Sequence, residues 1–100
     1  MKKKSPKKTP QARVRVPLRV ELPQASSVIV SGSFTDWNET GIAFDRDGGG
    51  IWFVELELPP GRHEFRLIVD GEWADMPGAV ETVENPYGTR NAVLVVGPPV

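Results

Sequence analysis

One hundred residues allow a single domain with one core of modest size, and 39% apolar against 25% charged residues is ordinary for a globular chain. The absence of cysteine excludes disulfides and thiolate chemistry, and no apolar stretch approaches the roughly 20 residues of a membrane span. The formal charge of -1 hides an asymmetry: the first 19 residues hold eight of the 12 Lys and Arg, while all 13 Asp and Glu lie beyond them.

The chain opens on MKKKSPKKTPQA, rich in Lys and Pro without an apolar anchor, which predicts a disordered basic tail over residues 1–12. Such a tail could tether an anionic surface, but the acidic body that follows argues against nucleic acid as the main partner. The N-terminus lacks the apolar segment of a secretory leader, so a cytoplasmic protein is expected. From Arg13 the pattern alternates: Val14, Val16, Leu18 and Val20 against Arg13, Arg15, Pro17 and Arg19. That is a half-buried strand, and Pro17 assigns it to a sheet edge.

Ser27 to Ser33 predicts a second strand and Gly41 to Arg46 a weak third, followed by a turn at Asp47-Gly48-Gly49-Gly50. Ile51 to Leu58 alternates cleanly, with Trp52, Val54, Leu56 and Leu58 on one face, and Pro59-Pro60-Gly61 ends it. His63 to Val69 follows, and Asp70-Gly71 offers a two-residue hairpin turn into Glu72-Trp73. A strand around Val80 to Val83, a turn at Asn85-Pro86-Tyr87-Gly88 and a closing strand from Asn91 to Val96 complete the pattern. Seven or eight short strands without an amphipathic helix predict an all-β, antiparallel sandwich over residues 13–97.

Catalytic chemistry finds little support. The single histidine, His63, alternates with core positions on a strand, which suits packing better than base catalysis. Asp45-Arg46-Asp47-Gly48 starts like a calcium loop but lacks the closing Glu, and the triple glycine is not followed by the Lys and Ser or Thr of a phosphate cradle. Asp70, Glu72 and Asp75 flank Trp73, but glycoside hydrolysis needs two carboxyl groups facing each other across a cleft. A compact sandwich with short loops predicts no such cleft. No enzyme activity, metal or cofactor is expected.

The tryptophans divide by context. Trp52 is in phase with the core, whereas Trp37 and Trp73 each follow polar, turn-forming residues at strand ends. Either each folds over the edge of the core or the two are held out for a ligand. An indole held at a loop can stack on the C–H face of a pyranose, with Arg66, Thr89 and Asn91 as candidate hydrogen-bonding groups at the rim.

The segments VIVSGSFTDWNETGIAFDRDGGGIWFVELELPPGRHEFRLIVDGEW, residues 28–73, and NPYGTRNAVLVV, residues 85–96, closely resemble carbohydrate-binding module family 48. That family includes the glycogen-binding domain of AMP-activated protein kinase β-subunits and the early-set domains of isoamylase and branching enzymes. The resemblance covers Arg13 to Val96, and SGSF..W, LPPG and VDGEW at these spacings carry it. It implies an immunoglobulin-like fold that binds α-1,4-glucans. Trp37 and Trp73 would be the stacking pair, and Arg66 stands where the kinase domains have a lysine that hydrogen-bonds a hydroxyl. Tyr87 matches an apolar residue that presses on the glucan ring, while Thr89 and Asn91 match polar contacts. Arg in place of Lys trades a point charge for a planar fork. Enzymes carrying this domain often lose the sugar site, so both tryptophans together favour a working one.

The expectation is therefore a free-standing, non-catalytic α-glucan-binding module that targets or regulates, with a separate glycogen-metabolising enzyme as partner. The alternative is a protein-interaction module whose sugar site is vestigial. Membranes are not expected as a partner.

Overall fold

The computed structural model describes residues 13–98, so the basic tail expected over residues 1–12 lies outside the described residues. The chain is an all-β antiparallel sandwich with nine strands among the described residues, against the seven or eight expected. They are β1 (Val14–Glu21), β2 (Val28–Gly32), β3 (Ile42–Ala43), β4 (Asp45–Arg46), β5 (Ile51–Leu58), β6 (Gly61–Val69), β7 (Glu72–Ala74), β8 (Thr82–Glu84) and β9 (Arg90–Val96).

One sheet has the order β1-β5-β4, and the other β3-β2-β6-β9-β8 with β7 paired to β6. The clean alternation of β5 fixes the first sheet: Val16 faces Leu56, Leu18 faces Val54 and Val20 faces Trp52. Their inward faces meet Val28, Val30, Phe65, Leu67, Ala92 and Val96 from the second sheet. Pro17, without an N–H to donate, is tolerated because β1 is an edge strand.

The extra strand arises where the expected third one breaks in two. Ile42 and Ala43 pair with β2, Asp45 and Arg46 pair with β5, and Phe44 between them is buried with its N–H on the Val28 carbonyl, 2.9 Å. The chain crosses from one sheet to the other at that residue. The strand expected around Val80–Val83 also moves, to Thr82–Glu84, leaving Val80 fully exposed. Its register follows the turn that begins at Asn85, whose N–H reaches the Thr89 carbonyl at 3.0 Å and sets Glu84 opposite Arg90.

Asp70 and Gly71 take φ of 52° and 86°, the left-handed pair that a two-residue hairpin needs. Asp70 Oδ1 also accepts the N–H groups of Ser26 and Ser27, at 2.7 and 2.9 Å, tying the hairpin to the loop before β2. Replacing it by Ala removes both bonds and places a Cβ residue with less tolerance in the left-handed region. Asp70→Ala is expected to cost about 2 kcal/mol, read as a lowered urea midpoint with an unchanged slope.

Candidate functional site

The site lies on the outer face of the larger sheet, and two devices raise the indoles above it. After β2 the chain makes a single 3₁₀ turn over Ser33–Thr35, then places Asp36 and Trp37 consecutively in the left-handed region, φ 55° and 58°. Two such non-glycine residues cost of order 1–2 kcal/mol each and persist only where the surroundings hold them. The small polar neighbours do that. Trp37 N–H donates to the Gly32 carbonyl at 3.0 Å, and the fully buried Ser31 hydroxyl donates to the Asn38 carbonyl at 2.6 Å. Thr35 Oγ1 accepts the Gly32 N–H at 3.0 Å, and Asn38 Oδ1 accepts the Gly41 N–H at 2.9 Å. Residues that resemble a solvated turn are thus the frame of Trp37.

Trp73 arrives by the Asp70-Gly71 hairpin, which lays β7 against the upper part of β6 with Trp73 opposite Ile68. Its ring centroid is 6.4 Å from that of Trp37, with the planes inclined at 46°. Each indole is 37% exposed. The pair forms an open angle rather than a closed stack, leaving ring surface free.

β9 pairs with β6 from Gly61 to Phe65, and β7 takes over the pairing from Leu67 to Val69. Arg66 sits at that changeover. Its Nη2 donates to Asp75 Oδ1 at 2.7 Å, its side chain is 13% exposed, and Nε is buried without an acceptor among the described residues. Asn91 Nδ2 donates to Glu64 Oε1 at 3.0 Å, while Asn91 Oδ1 accepts from Asn85 Nδ2 at 2.9 Å. Asn85 organises the loop: its Oδ1 accepts the N–H groups of Tyr87 and Thr89, at 3.0 and 3.2 Å, and its Nδ2 reaches Thr89 Oγ1 at 2.8 Å. Tyr87 stands at the tip of this turn, 88% exposed.

Together these groups enclose an open cleft of about 680 Å³. It brings together Trp37, Arg66, Trp73, Tyr87, Thr89 and Asn91, the six candidates from the sequence, and adds Glu64, Asn85 and Pro86. The absence of a cleft expected from short loops is therefore corrected: the loop that carries Trp37 and the turn that carries Tyr87 both line a hollow on the larger sheet. Glu64 is its one carboxylate among the described residues. Asp70 is committed to Ser26 and Ser27, and His63 Nε2 lies 2.9 Å from the Pro59 carbonyl, with its ring edge-on to Phe34. Asp47 Oδ1 closes its own turn by accepting the N–H groups of Gly49 and Ile51.

Glu64 was accessible to sequence reasoning, since it lies two residues before Arg66 and so shares its face of the strand. The role of Asn85 was not, because it comes from turn closure. Asn85→Ala is expected to loosen Tyr87, Thr89 and Asn91 together and weaken whatever ligand they touch about tenfold, with a smaller loss of stability, measured by calorimetric titration beside thermal unfolding.

Residues 16–99 match the family described as the glycogen recognition site of AMP-activated protein kinase. Among individual proteins, the chain is 42% identical over 64 residues to SNF1 protein kinase subunit beta-2 of Saccharomyces cerevisiae, covering 62% of this chain and 15% of that one. It is 32% identical over 72 residues to protein PTST homolog 2, chloroplastic, of Arabidopsis thaliana, covering 72% and 13%. With 5'-AMP-activated protein kinase subunit beta-1 of Sus scrofa it shares 30% identity over 69 residues, covering 69% and 53%. The chain thus spans from about one eighth to about half of the length of these relatives.

Proposed function

The chain belongs to the family of the glycogen recognition site of AMP-activated protein kinase, and from that premise we propose that its cleft binds an α-1,4-glucan such as glycogen or a starch-like polymer. The observation that carries the reading is the pair of half-exposed indoles, inclined at 46° over a polar floor. Two apolar planes at an angle suit successive rings of a curved glucan, whose C–H faces can stack on them without any charge. Arg66 lines the cleft with its side chain 13% exposed, and Nη2 is bonded to Asp75, so the part of the guanidinium that reaches the surface offers a sugar hydroxyl a donor. Tyr87, Thr89 and Asn91 complete the wall that a second face of the chain would touch.

The reading is non-catalytic: among the described residues the cleft lining holds the single carboxylate Glu64, already engaged by Asn91, where hydrolysis needs two that face each other. A targeting or regulatory role beside a separate protein, such as a glycogen-metabolising enzyme, forms part of the proposal, and the relatives named as kinase subunits support a protein partner. A cytoplasmic location forms part of it too, although one of the relatives is named chloroplastic. No helix among the described residues is long and apolar enough to cross a membrane.

Affinity electrophoresis through gels containing glycogen tests the proposal. Retardation relative to a gel without polymer is expected; migration unchanged by glycogen, amylopectin and β-cyclodextrin alike would overturn it. The domain proposed over residues 13–97 should carry all of this binding, so deleting residues 1–11 is expected to leave the dissociation constant for β-cyclodextrin within about twofold.

A further inference from the structure

Resting on the glucan reading above, we infer that Asp75 is a specificity-determining residue that makes the cleft select neutral glucan chains over phosphorylated ones. Among the described residues Arg66 is the only cation in the cleft lining, and it is largely withdrawn from water. A cation so placed, bare, would favour any chain bearing a phosphate monoester, which carries about -1.5 to -2 charge at neutral pH. Asp75 cancels it from outside the cleft, at 2.7 Å from Nη2.

The other charges in reach do not restore an anion site. Glu64 places a second carboxylate in the cleft itself, and the nearest cation to it, Arg62, lies at 3.8 Å and is shared with Glu81 at 3.1 Å. Asp75 also borders a smaller hollow of about 230 Å³, where the one cation among the described residues, Arg90, is turned to Thr82 Oγ1 at 2.8 Å and lies 3.8 Å from Glu84. The region around the indoles therefore offers a neutral ligand stacking surface and hydrogen bonds, and meets a phosphorylated one with cations already paired among the described residues and with Glu64 only partly compensated by the Arg62 it shares with Glu81. Asp75 is 65% exposed, so its pair with Arg66 contributes little to stability and acts mainly through charge.

The test compares maltoheptaose with maltoheptaose carrying one 6-phosphate, titrated calorimetrically into the full chain and into Asp75→Asn, at about 20 mM and about 0.5 M salt. Asn keeps an acceptor for Arg66 but not the charge. The wild type is expected to prefer the neutral chain, and Asp75→Asn to shift the ratio of the two affinities about five- to tenfold toward the phosphorylated chain at low salt, with most of that gain lost at high salt. Glu64→Gln, which retains an acceptor for Asn91, should shift the ratio in the same direction. Equal wild-type affinity for both chains, or an Asp75→Asn variant that weakens both alike at either salt, overturns the inference and leaves glucan binding standing. A wild type that binds neither chain overturns the glucan reading and this inference with it.

Discussion

Replacing Trp73 by Ala is expected to weaken maltoheptaose binding by at least about 30-fold while the protein stays folded. The figure follows from about 2 kcal/mol, the loss common when a central aromatic anchor is truncated. Trp73 is 37% exposed, so over a third of the residue is open to a ligand while the larger part packs against its neighbours. The strand that bears it is held by the backbone ladder to β6 and by the Asp70-Gly71 turn, neither of which uses the indole. Thermal unfolding should therefore move by only a few degrees. Trp37→Ala should lose binding to a similar extent. Because both rings touch one ligand, the double variant should lose less than the two single losses added together. Near-normal binding by both single variants would remove the indoles from the site.

Gly32→Ala should be the most damaging single-methyl change in the chain. Gly32 has an extended backbone, φ -169°, that any residue can adopt, so the requirement is for space. A Cβ there would collide with the Glu64 carbonyl oxygen and approach Phe65 Cβ and Cα at 2.7 and 2.8 Å. Those atoms belong to β6, the partner of β2 in the larger sheet, and can yield only if two paired strands separate. A cost of about 3 kcal/mol or more is expected by urea unfolding. Gly49→Ala is the control: its Cβ would meet only Asp47 carboxylate oxygens, at 3.5 and 4.0 Å, and stability should change by less than about 0.5 kcal/mol. The Gly32 carbonyl also accepts the Trp37 N–H, so Gly32→Ala should weaken glucan binding in any population that still folds.

Sequence reasoning reached the elements whose geometry is local. Alternation identifies β5 and its inward face because each strand residue declares its side by parity, and Asp70-Gly71 identifies its hairpin because few other dipeptides tolerate two positive φ angles. Pro17 reveals an edge because a central strand cannot spare the N–H. What escaped depends on partners distant in the chain. Gly41 to Arg46 divides between two sheets because Phe44 turns into the core between them, and six residues of mixed polarity carry no mark of that switch. The cleft escaped for a related reason: it is the space between the Trp37 loop and the Tyr87 turn, which lie 50 residues apart and meet only once β2, β6 and β9 are side by side. Nor do the small polar residues around Trp37 disclose that they frame it, since their bonds form only after Ser31 is buried.

The most direct test follows the three indole N–H resonances by NMR while maltoheptaose is added. Those of Trp37 and Trp73 should shift together along one binding curve, while that of Trp52, buried with its Nε1 donating to the Leu22 carbonyl at 3.0 Å, stays in place. Saturable binding that leaves Trp37 and Trp73 unmoved, or no binding at all, would contradict the account.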